Sequence, residues 1–117
     1  MWGVREMDNI TFDDFKKIKL LVGQIKTVED IEGADKLYKL AVDLGEEERT
    51  LVAGIKLHYP NKDDLIGKKI AVVANLEPRA LKGVESRGML LAASNSDKTS
   101  VVLLTLDKDI PNGSTIS

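Results

Sequence analysis

The 117-residue chain contains no cysteine and one histidine, His58. It can form no disulfide framework, thiolate metal site or cysteine nucleophile, and a multi-histidine zinc centre is excluded as well. Aromatic residues are scarce: one Trp, two Tyr and two Phe. With Phe12 and Phe15 expected to pack a first helix, too few rings remain to stack successive unpaired bases, which disfavours single-strand binding. No apolar run approaches the roughly 20 residues that span a bilayer. The start, Met1-Trp2-Gly3-Val4-Arg5-Glu6, lacks a basic stretch followed by an apolar one, so the expected location is the cytoplasm, with no membrane partner. Neither GxGxxG nor a GKS or GKT ending occurs, which removes the usual phosphate loops.

What is present describes one compact domain over residues 1–117, with 1–11 as an N-terminal extension. The chain is 43% hydrophobic and 31% charged, and its length suits a single core. Its net charge of −2 argues against a uniformly basic surface. The distribution is uneven. Residues 1–48 hold 7 basic and 12 acidic side chains, residues 49–90 hold 8 and 4, and residues 91–117 hold 2 and 3. The middle of the chain is therefore a basic segment, although strands can disperse such charge in space.

Thr11-Phe12-Asp13-Asp14 places a hydroxyl at an N-cap and a carboxylate three residues on, predicting a short helix from Phe12 to about Lys17. From Ile18 the apolar residues fall at Ile18, Leu20 and Val22, then after Gly23 shift phase to Ile25, as when an extra residue is inserted, predicting a long, bent first strand. Tyr38, Leu40, Val42 and Leu44 alternate with polar residues as a second strand. The acidic turn Gly45-Glu46-Glu47-Glu48 leads into a third, Arg49 to Ala53. Asn61 caps about one helical turn over 62–66. Ile70 to Ala74 reads as a strand buried on both faces, Leu76 to Arg87 as a long loop, and Met89 to Ala93 and Val101 to Leu104 as two more strands. These elements predict an all-β fold, an OB-fold five-stranded closed barrel with a short capping helix and a short N-terminal helix.

Catalysis has little to work with. His58 could be joined to Ser86 and Asp35 on paper, but no nucleophile-elbow spacing accompanies them. The pairs Asp13-Asp14 and Asp63-Asp64 sit where helix N-termini attract carboxylates, so capping explains them. No enzyme activity, catalytic residue, cofactor or metal is expected. A binding surface remains.

The run Asn75-Leu76-Glu77-Pro78-Arg79-Ala80-Leu81-Lys82-Gly83-Val84-Glu85-Ser86-Arg87-Gly88-Met89-Leu90-Leu91-Ala92-Ala93 resembles the signature of the tRNA-binding domain family. Its members stand alone as dimers or form the C-terminal part or β subunit of methionyl-tRNA synthetases. Val22-Gly23-Gln24-Ile25, Ala34-Asp35-Lys36-Leu37-Tyr38, Val52-Ala53-Gly54-Ile55 and Leu65-Ile66-Gly67-Lys68-Lys69 also match in family order. The resemblance covers Phe15 to about Ser114. It implies an OB-fold, a homodimer when the domain stands alone, no catalysis, and binding of the outer corner of L-shaped tRNA without strong sequence selection, with methionyl-tRNA synthetase as a further partner.

The resemblance places Lys36, Asn75, Ser86 and Met89 on the RNA face and Arg79, Lys82 and Arg87 in a basic loop. Arg and Lys would neutralise phosphates, Asn75 and Ser86 would donate to phosphate or the ribose 2′-OH, and Met89 would offer an adaptable apolar contact. Read without the motif, Asn75 simply ends a strand, Met89 is core and an exposed Lys is solubilising. The chain departs from the family pattern at Glu77, where a basic residue is usual, at Ile31-Glu32, where His-Pro is common, and at Ala53, where Ser is frequent. The apolar runs exceed what one side of a small barrel needs, a physical motive for dimerisation. The competing readings are a peptide-binding chaperone of the secretion type and a docking module for a synthetase complex.

Overall fold

The computed structural model describes residues 8–117. Helix α1 (Phe12–Lys16) starts where the sequence places it, with the Thr11 hydroxyl accepting from the Asp14 N–H at 3.0 Å. Phe12 and Phe15 do not bury themselves: their rings lie 6.3 Å apart and they are 71% and 39% exposed. A five-residue helix is too short to turn an apolar face onto the sheet.

The main sheet is built from β1 (Leu20–Ile31), β2 (Ala34–Asp43), β3 (Glu48–Ala53), β4 (Lys69–Val73) and β7 (Met89–Leu90), in the order β3-β2-β1-β4-β7. All its pairings are antiparallel. Between β4 and β7 the chain forms the hairpin β5 (Arg79–Leu81) and β6 (Val84–Ser86), and after β7 the hairpin β8 (Ala92–Ser94) and β9 (Val101–Leu103). The terminal strand β10 (Thr115–Ile116) pairs with the start of β1. The architecture is all-β and OB-like.

The expected closed barrel is not closed by strand pairing. The ladder runs from β3 to β7 without returning. The gap is bridged by the Arg87 N–H donating to the Thr50 carbonyl at 2.9 Å and the Val52 N–H donating to the Ser86 hydroxyl at 2.9 Å. Gly88 makes this approach feasible. Its φ is +124°, and a Cβ there would lie 2.9 Å from the Val73 carbonyl oxygen and 3.2 Å from Leu51.

The core lies where the alternation puts it. Tyr38, Leu40, Val42 and Leu44 of the second strand and its end are buried together with Ile25, Leu51, Ile70 and Val72. Leu65, which follows the 3-10 turn Lys62–Asp64, is fully buried in the same cluster and plugs it. The predicted Asn61 cap is present, its side-chain oxygen accepting from the Asp63 N–H at 3.0 Å. Tyr38 donates to the Tyr59 carbonyl at 2.8 Å, and the Tyr59 hydroxyl accepts from the Leu103 N–H at 3.1 Å, fixing the crossing segment over the core.

The extra residue expected in the first strand after Gly23 is present: β1 shifts register against β2 between Ile25 and Thr27, and again between Asp30 and Ile31, while β1 and β4 pair without a break from Leu20↔Val73 to Gln24↔Lys69. Gly23 itself is a packing position, where a Cβ would come within 2.6 Å of Val42. Two expectations are corrected. The long loop from Leu76 to Arg87 contains the β5–β6 hairpin, turned by Lys82 (φ +51°) and Gly83 (φ +81°). Positive φ at both central residues is the geometry of a type I′ turn, whose twist matches paired strands. Finally, Met89 to Ala93 is not one strand, because Leu91 interrupts it between β7 and β8.

Candidate nucleic-acid interface

The β5–β6 hairpin positions most of the predicted contacts. Arg79 pairs with Ser86 and Leu81 with Val84, which places these four residues on one face. Leu81 and Val84 pack against a small cluster of Ile31, Ala34 and Val52, together with Leu37. The hairpin is thereby fastened to the turn between β1 and β2. Lys36 is exposed on β2 immediately before Leu37, and the alternation of a strand points its side chain to the face opposite Leu37.

Arg79, Ser86 and Met89 line one groove of about 400 Å³, with Leu76, Glu77, Pro78, Leu81 and Gly88 completing its wall. Arg87 opens onto a separate depression of mixed charge, with Lys39, Arg49 and Thr50 beside Glu48 and Glu85. Lys82 sits at the hairpin tip, exposed. The basic residues are thus distributed around a projecting hairpin rather than gathered in one cleft.

The four predicted cations, Lys36, Arg79, Lys82 and Arg87, form no salt bridge among the described residues. Several others are engaged: Lys56 and Lys62 with Asp30 at 3.0 and 2.8 Å, Lys69 with Asp109 at 2.8 Å, and Arg49 with Glu47. These pairs leave a titration signature. The Lys62 hydrogen bond, then that of Lys56, holds the Asp30 carboxyl below the usual carboxylate range, and Asp30 in turn raises Lys62. Arg49 lowers Glu47 in the same way.

Asn75 and Ser86 have intramolecular partners. The Asn75 side chain accepts from the Lys19 N–H at 2.9 Å and donates to the Lys17 carbonyl at 2.6 Å, clamping the segment after α1. Ser86 is buried, and its hydroxyl accepts from Val52 and donates to the Gly88 carbonyl at 3.1 Å. Those bonds commit the hydroxyl to backbone and leave the paper triad with His58 without geometric support. Among the described residues there is no group of three or more His, Asp or Glu able to hold a metal ion, and no helix is long and apolar enough to cross a membrane.

Sequence reasoning missed Lys39 and Arg49 beside Arg87. The outward phase of β2 could have indicated Lys39. Glu77, a departure from the family pattern in charge, is also a residue of the groove.

Comparison with known proteins agrees with this geometry. Residues 20–115 match the family described as "Putative tRNA binding domain". The chain is 52% identical over 112 residues to the methionine–tRNA ligase of Caldanaerobacter subterraneus subsp. tengcongensis, covering 96% of this chain but 17% of that protein. It thus spans about one sixth of that ligase. Among solved structures, the MetRS related protein from Pyrococcus horikoshii superposes with a TM-score of 0.89 at 40% identity, over 95% of this chain and all of that one. The chaperone CsaA of Bacillus anthracis superposes at 0.85 with 31% identity, over 94% of this chain and all of that one. The match along most of the chain makes this protein a member of the tRNA-binding domain family, homologous to the tRNA-binding part of methionyl-tRNA synthetases.

Proposed function

We propose that the chain grips folded tRNA by shape and backbone, performs no chemistry of its own, and acts as part of, or beside, methionyl-tRNA synthetase by raising the local tRNA concentration. One observation carries the reading: Lys36 on β2 and Arg79, Lys82 and Arg87 on and beside the hairpin form no ion pair among the described residues. A cation without an internal carboxylate can exchange its counterions for phosphates. Asn75 and Ser86 support this surface from behind by holding the chain at its base. A homodimer presenting two such surfaces, and a cytoplasmic location where tRNA is charged, belong to the same proposal.

Titration with tRNA at several salt concentrations tests it. About 3 to 5 phosphates neutralised per subunit should give a steep, linear fall of log affinity with log salt. Lys82→Glu should weaken binding and reduce the slope by about one. A flat salt dependence, or tighter binding to unstructured RNA than to tRNA, overturns the reading. Light scattering that finds a monomer at all concentrations removes the dimer.

A second reading, peptide binding, draws support from the apolar lining of the groove and from the likeness to CsaA, named as a chaperone. It predicts that an apolar peptide competes for the protein and that Lys82→Glu leaves that binding intact.

A further inference from the structure

Of the five asparagines in the chain, Asn112 alone is followed by glycine. A following residue without a Cβ leaves its backbone nitrogen free to approach the asparagine side-chain carbonyl carbon, so this pair cyclises most readily. Asn112 and Gly113 form the turn that lays the tail on β1, with Gly113 at φ +85° and the Ser114 N–H donating to the Pro111 carbonyl at 3.2 Å. Both reacting groups are held there. The Gly113 N–H donates to the Val22 carbonyl at 2.7 Å. The Asn112 side-chain nitrogen donates to Gln24 Oε1 at 3.1 Å and Asp43 Oδ2 at 3.2 Å. Gln24 is itself fixed, since its amide nitrogen donates to the Gly67 carbonyl at 3.1 Å. Asn112 Oδ1 is buried and has no hydrogen-bond partner among the described residues. The side chain is therefore held by its nitrogen alone, facing two acceptors.

We infer that Asn112 is a latent deamidation site, shielded while the tail is docked on β1, and that its conversion to aspartate or isoaspartate prevents the tail from docking again. The Gly113 nitrogen attacks Asn112 Cγ, its proton passes to the departing amide nitrogen, the Cγ–Nδ2 bond breaks and ammonia leaves. Water then opens the cyclic imide at either carbonyl, giving aspartate or isoaspartate. The net change is hydrolysis of an amide, with no oxidant or reductant. The attack requires Gly113 to release Val22, so the reaction runs through a locally opened tail. The product sets a carboxylate where the donor stood, against the Asp43 carboxylate and the Gln24 carbonyl, three acceptor groups with no donor between them. Asp43 is ionised near neutrality, its carboxyl held below the usual range first by the Gly45 N–H and also by Asn112, Lys26 and Lys69. Lys69 is already committed to Asp109 and the Ile110 carbonyl. Isoaspartate further lengthens the backbone at a crossing where Gly45 and Gly113 have no room for a side chain. Either product leaves the start of β1 without its tail and exposes a sheet edge.

The test incubates the full chain and a synthetic peptide of residues 108–117 side by side at neutral pH, and follows conversion at Asn112 by peptide mapping with mass spectrometry. The peptide should convert about a hundredfold faster than the folded chain, as expected of a segment that reacts through local opening. Hydrogen exchange then reads the consequence at the Val22 amide, which donates to the Ser114 carbonyl in the docked tail. Asn112→Asp should speed that exchange about tenfold, the loss of one hydrogen bond to a charged acceptor. Combining Asn112→Asp with Asp43→Asn should restore slow exchange, because an amide donor at 43 then meets the carboxylate at 112. Equal conversion in peptide and folded chain, or none in either, overturns the inference. So does an Asn112→Asp chain whose Val22 amide still exchanges slowly, or a double variant that exchanges as fast as Asn112→Asp alone.

Discussion

Two small residues hold the open side of the barrel together. The Ser86 hydroxyl joins β3 to the turn after β6 by accepting from Val52 and donating to Gly88. Ser86→Ala leaves a buried N–H and a carbonyl to find other partners, and should cost about 1–3 kcal/mol in denaturant unfolding. If Ser86 acts only from behind the RNA surface, the salt slope of tRNA binding should not change, whereas a direct phosphate contact would lower affinity beyond the stability loss. Gly88→Ala should be worse. The new Cβ meets a backbone oxygen at 2.9 Å at a φ of +124°, so both sterics and conformation oppose it. A melting temperature for Gly88→Ala at or above that of Ser86→Ala would contradict this account of the closure.

At the scale of elements, the hairpin turn separates conformation from charge. Lys82 sits at φ +51°, a conformation that asparagine tolerates better than lysine. Lys82→Asn should therefore stabilise the fold slightly, by up to about 1 kcal/mol, and still weaken tRNA binding because it removes a cation. Lys82→Glu should weaken binding further without the gain in stability. The capping turn gives a prediction in pH. Asp30 is depressed by Lys62 and Lys56, so its contribution is present above about pH 4 and is lost as pH falls through its lowered native value. Lys62 is raised, so its contribution is complete below about pH 10 and is lost as pH rises through its native value. Asp30→Asn should lower the denaturant midpoint near neutrality, and the difference from the parent chain should shrink on acidification. A constant difference down to about pH 2 would show that the pairs do not hold the cap.

The same elements show how much was legible. The helix cap at Thr11, the alternation from Tyr38 to Leu44 and the Asn61 turn are local signals, and each stands where the residues put it. The β5–β6 hairpin was hidden because Lys-Gly is a weaker turn signal than Asn-Gly, and Pro78 suggested irregular chain. Of the proposed RNA surface, the motif named residues, but their grouping was not readable. Arg79 and Arg87 lie on different sides of the hairpin because of cross-strand register, which depends on a turn that sequence reading did not find.

For the whole molecule, the two ends of the described chain meet on the first strand. Asn75 clamps the segment entering β1, and the tail lies along β1 on the edge away from β4. Gly113 donates to the Val22 carbonyl at 2.7 Å, and Val22 donates to the Ser114 carbonyl at 2.9 Å. The Asn112 amide nitrogen reaches Gln24 and Asp43 at 3.1 and 3.2 Å. Neither Gly45 nor Gly113 has room for a side chain at this crossing, where a Cβ would meet backbone oxygen at 2.6 and 2.4 Å respectively. This contact is invisible locally, because it joins a tail with no strong strand pattern to residues about seventy to ninety positions away. Removing residues 112–117 should cost about 2–4 kcal/mol, since several net hydrogen bonds are lost at once. It should also speed hydrogen exchange at the Val22 amide and uncover an edge open to self-association. The hairpin groove shares no lining residue with the tail, so tRNA bound to the folded fraction should keep its salt slope. Slow exchange at Val22 in the truncated chain would show that β1 does not need the tail, and a changed slope would tie the tail to the RNA surface.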